Sequence, residues 1–224
     1  MKAAFLAASA AMLMAGSAQA STTIGGFTFT SSATSVISVG PTGASDWATI
    51  NPPPGLNAAG NLAAVLTDNN PATGASYSPA PGTVTLGFAN GILNGNGNDF
   101  VLFDFSRLRS FTVTINNVSV TRLTSATGST VTFFPGGLAQ SLNAAAFNLS
   151  EFGLAAGSSI SSAQIRLDTD LPFFPTSLLY AGVLNTGTAS VVPEPSTWML
   201  MIMGFGLIAQ QLRRRHRGVA QVAA

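Results

Sequence analysis

The 224-residue chain has no cysteine, one histidine and only 8% charged residues. Without a thiol it builds no disulfide framework, no zinc ribbon, no thiol nucleophile and no cysteine-ligated cluster. The lone His216 stands in the basic run Arg213-Arg214-Arg215-His216-Arg217, so a serine, histidine and aspartate triad in the body is excluded. Charge is also unevenly spread. Lys2 is the only charged residue before Asp46, and between residues 21 and 192 four arginines face seven acids, a net of −3. A mildly acidic body carries no footprint for nucleic acid.

Both ends carry apolar runs with distinct punctuation. Lys2 is followed by an uncharged stretch from Ala3 to Ala15 and then by Gly16-Ser17-Ala18-Gln19-Ala20. A positive start, a short apolar stretch and an Ala-x-Ala site predict a secretory signal peptide over residues 1–20, with Ala18 and Ala20 flanking the cut. At the other end, residues 189–192 serve as a linker into Pro193-Glu194-Pro195-Ser196-Thr197, followed by the uncharged run Trp198 to Leu212 and the arginines. The prolines suit an extended lead into a helix capped by Ser196 or Thr197. Fifteen residues of helix span roughly 22 Å, short of the ~30 Å hydrocarbon layer. Trp198 as an interfacial anchor and the snorkelling arginine stems extend that reach and predict a single transmembrane helix with its arginines on the cytoplasmic side.

The string PEPSTWMLMIMGFGLIAQQLRRRHR resembles the PEP-CTERM sorting signal of Gram-negative bacteria, in its tryptophan variant. Pro193, Glu194, Pro195, Trp198, Gly204, Gly206 and the cluster Arg213, Arg214 and Arg215 fall on its pattern, whereas Met199 replaces the usual alanine. The resemblance covers residues 193–217, leaving a tail at 218–224. It implies an exosortase as partner, a membrane protease-transpeptidase that cuts near Pro-Glu-Pro, and an inner-membrane stage before processing. The prolines keep that backbone extended, as a protease cleft requires.

Residues 21–188 read as one exported, mainly β domain. Strand-rich segments run from Thr22 to Thr30, Thr34 to Val39, Thr83 to Phe88, Phe100 to Phe105, Phe111 to Val120, Ser129 to Phe134, Ile160 to Leu167 and Ser177 to Leu184. The phase change at Asn116-Asn117 predicts a bulge or a tight hairpin. Short helices are expected at Ala58 to Leu66 and Gln140 to Leu149. Eight short strands between turn signals predict a jelly-roll-like β-sandwich.

Within this body, the order of Leu66-Thr67-Asp68-Asn69-Asn70-Pro71-Ala72-Thr73-Gly74, the strand from Gly82 to Phe88 and the turn Asn94 to Asp99 into Phe100-Val101-Leu102-Phe103 is similar to discoidin or galactose-binding-like jelly rolls. The resemblance implies a structural Ca²⁺ at Asp68 and Thr73. On chemistry alone Asp68, Asn69 and Asn70 offer hard oxygens, and Asp168 and Asp170 a second pair, against the alternative that all of them form Asx turns. Asn94 to Asp99 reads as a polar turn, since no strand-to-helix step makes it a phosphate loop. Trp47 and Tyr77, in loop-like surroundings, are candidates for a sugar platform, with Phe133 and Phe134 as core residues. Glu151 lacks a partner carboxylate for a glycosidase pair. No cofactor beyond Ca²⁺ is expected. These features predict a non-enzymatic surface or matrix protein associated with exopolysaccharide or biofilm, with a carbohydrate-binding module as the alternative. Ice binding is disfavoured, because Thr112-x-Thr114 is read as occurring once.

Overall fold

Asn-Asn and Gly-Gly pairs reverse this chain where two-residue hairpins need positive φ. Gly25 and Gly26 have φ of 58° and 82°, and Asn116 and Asn117 have 50° and 65°, the signs of a type I′ turn. The computed structural model describes residues 21–41, 43–77, 81–105, 107–133, 137–167 and 176–186, all within a compact unit that ends at Thr186. The expected signal peptide with Ala18 and Ala20, the sorting segment at 193–217, the tail, Phe134, Asp168 and Asp170 lie outside the described residues.

The elements are β1 (Thr22–Ile24), β2 (Phe27–Phe29), β3 (Ser31–Ser32), β4 (Ser35–Gly40), β5 (Trp47–Ile50), α1 (Ala58–Thr67), β6 (Gly74–Tyr77), β7 (Gly82–Leu93) and β8 (Phe100–Phe105). There follow β9 (Ser110–Ile115), β10 (Val118–Leu123), β11 (Ser125–Val131), β12 (Gln140–Phe147), β13 (Ser159–Leu167), β14 (Ser177–Leu178) and β15 (Tyr180–Val183). They form two five-stranded sheets, β10-β9-β13-β7-β4 and β11-β12-β8-β15-β3, a three-stranded sheet β14-β6-β5 and the hairpin β1-β2. The pairings within the large sheets are antiparallel.

The large sheets share one core. Val84, Leu86, Phe111, Val113 and Ile165 of the first sheet cluster with Phe100, Leu102, Phe147 and Val183 of the second and with Leu62, Val65 and Leu66 of α1. Cross-strand neighbours Phe100 and Phe147 stack at 5.2 Å with planes 14° apart. A second cluster lies on the opposite face of β8, where Val101 and Phe103 meet Ile24 and Phe29 of the hairpin and Tyr180 of β15. Phe29 packs edge-on against Phe103 at 5.8 Å and Tyr180 at 5.3 Å. With apolar neighbours on both sides, β8 is a nearly continuous hydrophobic run rather than an alternating one. Gly182 leaves room for the Phe29 ring, since a Cβ there would run into it.

Three expectations are corrected. Gln140 to Leu149 is strand β12 and a short 3₁₀ turn, because burial between β8 and β11 overrides the helical preference of Ala144-Ala145-Ala146. Thr22 to Thr30 is a hairpin folded at Gly25-Gly26 rather than one strand. The surroundings of Trp47 and Tyr77 are strands β5 and β6, paired with each other. Among the described residues no helix is long and apolar enough to cross a membrane.

Candidate functional site

Helix α1 begins at Asn57, whose side chain accepts from Gly60 N at 2.7 Å, and ends at Asp68 with no basic residue in its last turn. Its carbonyl end therefore carries uncompensated partial negative charge, with one carboxylate added. There the buried Thr73 hydroxyl lies 3.0 and 2.8 Å from the Asp68 carboxylate oxygens, 2.7 Å from Asn70 O and 3.3 Å from Val65 O. A hydroxyl has one proton to give. It satisfies one of these four acceptors; backbone N–H groups also reach two of them, Asn70 N to Asp68 Oδ1 at 2.9 Å and Thr73 N to Asn70 O at 3.2 Å. These are hard oxygens of the kind Ca²⁺ takes, four of them against a usual shell of six to eight.

The structure thus brings Asp68 and Thr73 together. Asn70 contributes a carbonyl, while its N–H donates to Asp68 Oδ1 at 2.9 Å in an Asx turn. Asn69, with φ of 60°, turns aside and accepts from the Ser32 hydroxyl. Among the described residues no three acidic or imidazole side chains gather. A cation here would rest on one carboxylate, one hydroxyl and backbone carbonyls.

Trp47 and Tyr77 do not form an exposed platform. Both are 5% exposed, their ring centroids lie 5.4 Å apart, and both belong to the main core. The apolar contact with α1 and β6 that buries them outweighs the loop-like composition around them. Trp47 Nε1 is buried without a hydrogen-bond partner among the described residues. Phe133, read as a core residue, is half-buried and packs on Phe105 at 4.6 Å.

Among the described residues, polar depressions open on the surface, two of which bear on binding. One, of about 520 Å³, lies on the outer face of the β10-β9-β13-β7-β4 sheet and includes Thr114, Gln164, Thr85 and Asn117. Here Ser119, Thr114, Gln164, Thr85 and Ser38 follow one another across five strands. The hydroxyl pairs Thr114 with Ser119 and Ser38 with Thr85 are each 2.8 Å apart. Thr83-x-Thr85 thus lies on the same face as Thr112-x-Thr114, a repetition hidden by sequence distance, with Gln164 and Arg166 between them. The other depression, of about 300 Å³, is bordered by β3, Asn69, Asn90 and Tyr180.

Three acids have contrasting surroundings. Asp99 is fully buried and accepts from Gly95 N (2.8 Å), Asn185 Nδ2 (2.8 Å) and Leu149 N (2.7 Å), locking the Asn94 to Asp99 turn. Glu151 pairs with Arg122, whose guanidinium also sits 5.9 Å from the Phe147 ring centre. Asp104 is the residue that sequence reasoning missed. It is 2% exposed on β8, its Oδ1 accepts from Phe105 N (2.7 Å) and Ser177 N (3.2 Å), and its Oδ2 has no hydrogen-bond partner among the described residues. Burial pushes its carboxyl up to about 7, against the pull of those two N–H groups and the Arg109 charge. The signal was present: one acid inside Phe100-Val101-Leu102-Phe103-Asp104-Phe105.

No curated protein and no solved structure matches the chain. A family does match at the C-terminal end, over residues 191–217, including Pro193, Glu194, Pro195, Trp198 and the arginine cluster. Its description makes this segment a PEP-CTERM protein-sorting motif, which indicates a chain that is exported, held at the membrane and handed to an exosortase.

Proposed function

We propose that this is a non-enzymatic surface protein, exported by a signal peptide at residues 1–20, processed by an exosortase near Pro193-Glu194-Pro195 and then associated with exopolysaccharide at the cell surface or in a biofilm matrix. The observation that carries the reading is the sorting motif at residues 191–217. The body before it suits a scaffold: two large antiparallel sheets, joined by chain crossings from β7 to β8, β8 to β9, β10 to β11 and β12 to β13. Crossings of that kind support a jelly-roll reading. Structural Ca²⁺ is part of the proposal, held by Asp68, Thr73 and the carbonyls of Val65 and Asn70, where it would tie the end of α1 to the start of β6.

Replacing Pro193, Glu194 and Pro195 with alanine should leave the protein in the membrane fraction at its unprocessed size. Immunoblotting of membrane and released fractions checks this, and unchanged processing and release would refute the sorting part. A second reading, a carbohydrate-binding module on the cell surface, is favoured by the two depressions lined with neutral hydroxyls and amides rather than by Trp47 and Tyr77.

A further inference from the structure

We propose that the depression of about 300 Å³ beside β3 binds one neutral sugar residue of a polysaccharide. The inference rests on the carbohydrate reading above and gives it an address. Of the nine lining residues, eight bring a side-chain hydroxyl or amide, the ninth is Phe29, and none is charged. A pocket at the low end of the usual ligand-site range, roughly 300 Å³, accommodates a ring or two rather than an oligomer. The lack of charge favours neutral sugars over uronates or phosphates, since no cation in the lining would offset a buried anion.

The polar groups have unused capacity. Among the described residues Asn90 makes a single long contact, 3.5 Å from its Nδ2 to Ser31 Oγ, a separation at the outer limit for a hydrogen bond. Asn69 spends its Oδ1 on Ser32, leaving the two donors of its amide. An amide beside a hydroxyl presents donor and acceptor side by side, which is what vicinal sugar hydroxyls require. The cleft is also held in shape. Ser32 donates to Asn69, and Phe29 meets the Tyr180 ring at 5.3 Å, so little ordering is left for a ligand to impose. The Phe29 and Tyr180 rings are 1% and 4% exposed, so they support the cleft from beneath and recognition falls to its hydroxyls and amides.

The test is ligand-observed saturation-transfer NMR on the full chain, in a detergent without a sugar headgroup. The probes are the methyl glycosides of galactose, glucose, mannose and N-acetylglucosamine, with methyl glucuronide as the charged comparator. At least one neutral glycoside should bind, and Asn90→Ala and Tyr180→Phe should each weaken it about tenfold, the loss expected for one polar contact. Gln164→Ala, in the other depression, should leave binding unchanged, and Asn90→Ala, at a half-buried site, should keep the melting temperature. Binding lost in Gln164→Ala but kept in Asn90→Ala overturns this cleft while leaving the carbohydrate reading standing. Absence of binding by every neutral glycoside overturns both, and tighter binding of the glucuronide overturns the neutral class.

Discussion

Asp99 and Asp104 are the same residue type at nearly the same depth, and their partners give them opposite consequences. Among the described residues Asp99 meets three donors, whereas Asp104 Oδ2 meets none. The groups facing Asp104 are the N–H of Phe105, the N–H of Ser177, the Arg109 charge and, from β12, its cross-strand neighbour Asn143, whose Nδ2 is committed to Arg107 O at 3.0 Å. In the folded chain this carboxyl keeps its proton up to about 7, while in the unfolded chain it loses it near ~4. Its stabilising contribution is therefore fully present below about pH 4 and lost as pH rises through 7, an effect of roughly 4 kcal/mol at most. The melting temperature should fall by about 5–10 °C between pH 5 and pH 8. Asp104→Asn keeps both backbone partners, so its melting temperature should stay flat over that range and exceed the parent's at pH 8. Calorimetry at several pH values checks both, and a parent whose stability rises towards pH 8 would mean that Arg109 neutralises the carboxylate.

At the scale of elements, the legible parts of the fold were those whose signal is local. The helix over Ala58 to Thr67 and the reversal at Asn116-Asn117 depend on a cap and on positive φ, both readable within a few residues. Strands β5, β6 and β12 were missed because only their neighbours define them: Trp47 pairs with Tyr77 across 30 positions, and the alanines of β12 are small residues buried in a sheet. The pairing of Asp68 with Thr73 was legible only through the resemblance. Val65 O joins that site because α1 happens to end there, which no motif reports. If the loop holds Ca²⁺, excess ion at about a hundred times its dissociation constant should add roughly 2.7 kcal/mol, or about 5–10 °C in melting temperature. Asp68→Asn should abolish most of that shift. Identical melts in calcium chloride and in chelator would leave Asp68 as an Asx turn and nothing more.

For the whole molecule, the informative ends and the structured body are written in different terms. The termini are compositional addresses, so Pro193-Glu194-Pro195 and its arginines were readable without any fold, whereas the body depends on contacts between distant parts of the chain. The last described strand shows this most clearly. β15 lies between β8 and β3, and Thr30 N and Ala33 N donate to Val183 O (2.9 Å) and Ala181 O (3.0 Å) across some 150 positions. Leu184 N reaches Asp99 O at 2.8 Å, and Asn185 O accepts from Leu93 N at the same distance, so the chain is locked on both sides of its middle just before Thr186. Such long-range pairing cannot form until residue 186 is available, and with no cysteine no covalent link holds a partial sheet together. A chain stopped after Thr186 should therefore unfold in one cooperative transition. One stopped after Thr176 loses β14 and β15, exposes the outer face of Phe103 and the inner face of Leu102, and should show no cooperative transition. Near-ultraviolet circular dichroism during heating distinguishes the two. A sharp melt in the shorter chain would mean that β8 and β3 hold the second sheet without their shared neighbour.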